Sequence, residues 1–416
     1  MANKHARQAP PQSQAGNGGG GPGMSRSHMN HMKRNVVLNG HRDMKLRGAV
    51  NMIQLNNSTT LANPTLANQN VITFTPKNIG LAKRIRVEVI ATFTTAAGTT
   101  SCALSSFGPA NIFSNITFTD FQNQQRINCP GWALSNLATF RSGQAAPIGA
   151  SETSDTPLGY GNIITAAGIQ APASVAASGS GTIRMFFDVP IAYSDTDLRG
   201  AIWMSTTGAN TTLQLTLNPN FFLTSAGDQA LPVYVYAGTA PTLTSVTVNF
   251  YQNYLDQLPA PNGQVILPED DLDCVYQLLY TTNSGFTANN LLGIPYSNLR
   301  SYLSTTVVYD NGGTLNPGTD FGAENGFGLQ VANNTFIWQY GPQMLSYLTR
   351  QRINADTPKG MYYFSHRDNP ISTDQYGNMQ LVLYPTNVNA NAAFQIAYEF
   401  FTQRDTVLKA AALPSS

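Results

Sequence analysis

The chain has 416 residues, 42% hydrophobic and only 11% charged, which allows two to three domains with sizeable cores. Its net charge of +1 conceals an asymmetry. Residues 1–50 hold eight Lys/Arg against one acid, a local +7, and the rest holds fifteen basic against twenty-one acidic residues, a net −6. Three scattered cysteines exclude a disulfide framework and fit a reducing compartment; no apolar h-region reads as a secretory signal, and no apolar run is long enough to read as a membrane span.

Residues 1–24 are rich in Gln, Pro, Gly and Ala and cannot bury a core, so a flexible arm is expected. Gly18 to Gly21 lack the Gly-Lys-Ser/Thr ending of a phosphate loop. From residue 25 the arm is basic, and Met29, Met32, Val36 and Val37 fall at helical spacing with Lys33 and Arg34 on the flank. An amphipathic helix and a disordered basic tail both fit. Either is the footprint of contact with an acidic partner, phospholipid or nucleic acid.

From Val50 the pattern turns to β. Ile72–Thr75, Ile85–Thr94 and Ile112–Asp120 alternate apolar and polar residues, and Phe107–Asn111 reads as a turn. Pro130-Gly131 opens a short helix with apolar Trp132, Leu134, Leu137 and Phe140. Residues 142–181 read as long loops. Leu258-Pro-Ala-Pro-Asn-Gly263 carries two prolines and an Asn-Gly turn and marks a boundary. Beyond it, Val265–Leu267 reads as a strand. Pro268 to Asp273 then read as the acidic first turn of a helix, continued by Leu272, Val275, Tyr276 and Leu279. Tyr302–Tyr309 is a strand, Asp310–Gly313 a turn, and the stretch to 345 a set of Asn/Gly-rich loops.

One stretch occurs twice. Ile183–Asn220 and Lys359–Asn387 share an aromatic strand, a Pro-Ile step (Pro190-Ile191, Pro370-Ile371), Thr-Asp with a glycine, and a Gln-Leu-x-Leu strand. Each is followed by one more alternating strand, Val246-x-Val248-x-Phe250 and Phe394-x-Ile396-x-Tyr398. Their unequal spacers indicate divergent duplication of a β domain. Many short strands with turns roughly every ten residues make the expected fold all-β: two tandem eight-stranded jelly rolls with short helices and a flexible N-terminal arm. The expected division is arm 1–49, first roll 50–257, linker 258–264, second roll 265–404 and tail 405–416.

Catalytic and metal chemistry find little support. A cupin-type metal site needs several strand-borne histidines, and beyond residue 41 only His366 remains. His28 and His31 sit in the arm. His366-Arg367-Asp368 reads as a surface salt bridge, Cys129 as core, and Glu269, Asp270, Asp271 and Asp273 as helix-start acids rather than a metal site. Asp195 and Asp197 have no matching carboxylates in the second copy, so a glycosidase pair is weak.

A run of motifs, in order, resembles the major capsid proteins of tectiviruses, the membrane-containing, tailless icosahedral bacteriophages. They are Phe107–Asn111, Val189–Leu198, Tyr251–Pro259, Tyr302–Thr305, Asp310–Gly313, Pro317–Asp320, Pro358–Gly360, Arg367–Ile371, Gln375–Asn378 and Tyr398–Thr402. The resemblance implies a double jelly-roll major capsid protein of the virion, synthesised in the host cytoplasm. It would act without catalysis or cofactor, as pseudo-hexagonal trimers tiling an icosahedral shell over an internal lipid membrane. Implied partners are the chain itself, vertex and minor capsid proteins, and membrane phospholipid, with no specific nucleic-acid sequence. The family's N-terminal segment faces the membrane, which makes Lys33, Arg34, Arg42, Lys45 and Arg47 the expected membrane-proximal residues. The arm departs from the family in being longer, glycine-rich and more basic. The alternative is a tandem β-sandwich virion protein that binds a receptor or carbohydrate, which needs an exposed aromatic platform; Trp132, Trp203 and Trp338 are dispersed.

Overall fold

Along most strands one side chain in two is apolar, and the structure turns that alternation into two sandwiches. It is a computed structural model. It describes residues 49–403 except 69, 106, 143–148, 152–153, 159–167, 205–209, 225–230, 259, 261–271, 314, 316–317, 332–334, 354–356, 368–369 and 374–377. The arm residues, Val265–Leu267 and Glu269–Asp271 lie outside the described residues.

The first sandwich is built from β1 (Val50–Ala62), β2 (Val71–Phe74), β3 (Leu81–Thr94), β4 (Phe113–Thr119), β5 (Gln125–Cys129), β6 (Ser180–Pro190), β7 (Thr212–Leu217) and β8 (Thr242–Asp256). The second repeats the order: β9 (Cys274–Ser284), β10 (Leu292–Pro295), β11 (Ser301–Asp310), β12 (Phe327–Val331), β13 (Thr335–Tyr340), β14 (Met361–Ser365), β15 (Gln380–Leu383) and β16 (Ala393–Gln403). The sheets run β1-β8-β3-β6 and β2-β7-β4-β5 in the first, and β9-β16-β11-β14 and β10-β15-β12-β13 in the second. Each strand of the second sandwich thus has its counterpart eight strands earlier, and both are jelly rolls. The twice-occurring stretch supplies the sixth and seventh strands of each roll, and the alternating strand that follows it is the eighth. A helix follows the fifth strand in both: α1 (Gly131–Ser142) and α2 (Pro342–Ile353). A glycine stands at the start of each, Gly131 as the first residue of α1 and Gly341 just before α2, and both lie too close to a loop carbonyl (Ala110 or Ala323) to admit a side chain.

The rolls have separate interiors. Val246, Val248 and Phe250 of β8 share the first core with Phe74, Ile85 and Leu215, while Phe394, Ile396 and Phe400 of β16 share the second with Leu381, Leu383 and Phe327. Two of the four-stranded sheets are joined, because β5 pairs with β9 in parallel, Ile127 opposite Leu278 and Asn128 opposite Leu279. One sheet therefore runs unbroken from one roll into the other.

Several expectations are corrected. Leu272 is helical, but the helix read on through Leu279 gives way to β9 at Cys274. β9 is buried on both faces over Val275–Leu278, so its apolar residues follow burial, not helical spacing. The stretch read as loops to 345 contains β12, β13 and the start of α2. Residues 142–181 include a short hairpin, Gly149–Ser151 with Ser154–Leu158, and a two-residue strand at Ile169–Gln170. The Phe107 turn is a buried 3-10 helix, Gly108–Asn111.

Candidate assembly interface

The outer face of β9-β16-β11-β14 is not in solvent, because α1 of the first roll lies across it. Tyr276, Leu278, Met361, Tyr363, Ala397 and Phe401 point away from their own core and join the first roll's cluster. The Trp132 indole Nε1 donates to Gln395 Oε1 at 3.3 Å and meets Tyr280 edge-on at 6.4 Å. Phe140 stacks on Tyr363 with centroids 4.3 Å apart. Buried aromatic pairs of this kind add roughly 0.5–1.5 kcal/mol beyond their area.

A buried carboxylate sits in this seam. Glu399 of β16 accepts from Arg141 of α1 (2.5 Å), Arg367 (2.9 Å), the Ser304 hydroxyl (2.5 Å) and the Tyr276 hydroxyl (3.3 Å). Burial alone would raise its pKa, but Arg141, Arg367 and the Ser304 hydroxyl outweigh that and hold it at about 2. Arg141 also donates to the Tyr193 carbonyl at 2.8 Å and lies over the Tyr193 and Tyr276 rings. Arg367 bonds the Phe140 carbonyl at 3.3 Å. Two cations thus bridge both rolls to one anion. Arg367, expected in a surface salt bridge, is instead a member of this interior cluster, because α1 covers the strand end that carries it. Its neighbour His366 stacks near Trp338; burial, aided by Arg352, pushes the imidazole down to about 4.

The corresponding outer face of the first roll, β1-β8-β3-β6, has no such cover among the described residues. It is polar and internally paired. Glu88 bonds Arg184 (3.0 Å), Asn249 (2.9 Å) and Tyr251 (3.3 Å), and Asp188 bonds Arg84 (2.7 Å) and Arg86 (2.8 Å). Asp195 pairs with Arg84 and Lys83, and Asp197 with Arg199. These two candidate carboxylates therefore face cations and not each other. Cys129 is buried in the core, and burial raises its thiol pKa. Lys33, Arg34, Arg42, Lys45 and Arg47 lie outside the described residues. Glu399, Arg141 and Gln395 escaped the sequence reading; the one available signal was an acid at an outward position of an otherwise uncharged strand, Ala393–Phe401.

Residues 28–258 match the family described as P3 major capsid protein N-terminal, and residues 273–415 match P3 major capsid protein C-terminal. The chain is 37% identical over 353 residues to the Major capsid protein P3 of Enterobacteria phage PRD1, covering 84% of this chain and 88% of that protein. Among solved structures, it resembles the crystal structure of the STIV MCP, with TM-score 0.58 and 12% identity over 88% of this chain and 100% of that one. It also resembles the atomic structure of Sulfolobus Turreted Icosahedral Virus, with TM-score 0.59 and 13% identity over 88% and 94% of the two chains. At such identities the structures speak for the fold.

Proposed function

The chain belongs to the P3 major capsid protein family, and from that premise we propose that it builds its shell as a homotrimer of pseudo-hexagonal outline. It is a capsid protein of the virion, and its role is structural. The observation that carries the trimer is the side-by-side placement of two rolls of equal strand order in one chain. Three such chains present six similar sides, and a head-to-tail contact between them closes into a ring. The trimers tile an icosahedral shell over an internal lipid membrane, with vertex and minor capsid proteins as further partners, and no catalytic step belongs to the reading. The chain divides into arm 1–49, first roll 50–257, linker 258–264, second roll 265–404 and tail 405–416.

Lys33, Arg34, Arg42, Lys45 and Arg47 face the membrane in this reading. A local +7 suits an anionic leaflet, at about 1 kcal/mol per well-placed basic residue. Light scattering behind a sizing column tests the trimer: three times the 44.8 kDa chain mass is expected, and a clean monomer at micromolar concentration overturns it. Flotation with anionic liposomes tests the arm. A chain lacking residues 1–35 should float less well than the full chain, and equal flotation removes that stretch from membrane contact.

A further inference from the structure

Each roll has a cleft between its helix and its sixth strand, and the two clefts differ by a carboxylate. α1 and α2 align without a gap: Leu134, Leu137, Phe140 and Arg141 correspond to Leu345, Leu348, Gln351 and Arg352. The sixth strands align through their pairing. Met185 of β6 stands opposite Val89, which stands opposite Val248 of β8; Tyr362 of β14 stands opposite Val307, which stands opposite Ile396 of β16. Three residues on, Asp188 of the first roll corresponds to Ser365 of the second. The first cleft, about 230 Å³, is lined by Arg141 and Asp188. The second, about 430 Å³, is lined by Arg352 and Ser365. It keeps the arginine and has a hydroxyl where the first has an acid.

We propose that the second cleft binds a small planar aromatic carboxylate, its ring against an aromatic wall and its anion where Asp188 stands in the first cleft. The wall is a column of rings. Tyr340 stacks on Trp338 with centroids 4.7 Å apart and planes 4° from parallel, and Trp338 stacks on Phe364 at 5.7 Å and 15°. Leu345 and Leu348 of α2 complete the apolar lining. A flat ring set against such a column gains from offset or edge contacts beyond the area it buries. The volume lies in the range of pockets that hold a small organic ligand.

Two polar groups fix the class of ligand. The first is His366, which lines the cleft; its Nε2 is buried and has no hydrogen-bond partner among the described residues. A buried polar atom left unpaired is costly, and a ligand oxygen relieves it. Because burial and Arg352 hold the imidazole down at about 4, it is uncharged at neutral pH, and in its Nε2–H form it donates to a carboxylate oxygen. The second is Arg352, exposed at the mouth, where it donates to the Ser365 carbonyl at 3.3 Å. The same helix position in the first roll shows what such an arginine can hold: Arg141 takes the Glu399 carboxylate through Nε at 3.1 Å and Nη2 at 2.5 Å. A guanidinium is a planar fork suited to that grip. One cation, one neutral donor and a wall of rings together select an aromatic ring that carries a single carboxylate.

Isothermal titration of the full chain with 2-naphthoate tests the site. One naphthoate should bind per chain, with a dissociation constant below about 1 mM. Arg352→Gln, a change at an exposed position, should weaken binding by about tenfold or more with unchanged circular dichroism. Leu348→Trp, which fills the cleft, should abolish it. Two further probes divide the chemistry. 2-Naphthalenemethanol has the ring without the charge, and decanoate has the charge without the ring; both should bind more weakly than naphthoate. No saturable heat at millimolar naphthoate overturns the site, and so does binding that neither substitution alters. Equal binding of the alcohol or of decanoate overturns the aromatic carboxylate as its ligand.

Discussion

The outer face of the second roll's β9-β16-β11-β14 sheet and that of the first roll's β1-β8-β3-β6 sheet occupy the same place in the same fold and have opposite chemistry. The first named is dry, aromatic and pinned by one buried carboxylate between two guanidiniums. The other is a lattice of half-exposed ion pairs with two bare aliphatic side chains at its edge. The difference follows from covalent connection. α1 is tethered to the second roll and covers its face in every folded molecule, so apolar residues and a desolvated Glu399 are tolerated there. The first roll's face, without such a cover among the described residues, keeps Arg, Asp and Asn on its surface, where ion pairs are worth roughly 0–1 kcal/mol each.

The sharpest way to break this comparison is Glu399→Gln. It strands two guanidiniums in the seam and should cost about 3–5 kcal/mol in urea unfolding. A loss below about 1 kcal/mol would show that the cluster does not hold the rolls together. A matched pair of truncations comes next. Phe140→Ala removes the ring stacked on Tyr363 and should cost about 3–5 kcal/mol, while Gln351→Ala, at the equivalent place on α2, should change monomer stability by less than about 0.5 kcal/mol. Similar losses at the two sites would erase the distinction between covered and open faces.

Acid should act unevenly on the two rolls, since His366 is the one histidine beyond residue 41. Its folded pKa of about 4 lies below the ordinary 6.5, so the unfolded chain takes up the proton first. That stability is present above pH 6.5 and is lost as pH falls from 6.5 toward 4, by about 3 kcal/mol. His366→Gln should flatten the stability profile across that window. Glu399 adds a second loss at lower pH, present above its ordinary 4.5 and given up as pH falls toward 2. In Glu399→Gln this lower slope should vanish while the His366 slope remains. The smallest expected effect is Leu55→Ser on the open edge, within about 0.5 kcal/mol for the isolated chain.

Where one residue in two is apolar, strands were legible: β3, β4, β8 and β16 lie where alternation puts them, and β11, buried on both faces, was legible from its run of Thr, Val and Tyr. α1 was legible from Pro130-Gly131 and its apolar spacing. α2 was not, although Pro342 stands at its first position, because half of its large apolar residues face outward and break the amphipathic pattern. β9 was misread for the opposite reason. Its two buried faces leave no alternation, and Val275, Tyr276 and Leu279 imitate a helix. Arg367 beside His366 and Asp368 looked like a surface pair, since nothing local announces the helix from another domain that lies over it.

By itself the sequence determined the fold class, the doubling of the jelly roll and the family, because strand alternation, turn residues and ordered motifs are local properties of the chain. Only the tertiary structure decided which of two equivalent faces is interior. Whether Glu399 is desolvated or Leu55 exposed depends on what α1 and α2 lie against, and that is set by the parallel pairing of β5 with β9 across roughly 150 residues of chain, a contact with no local signature.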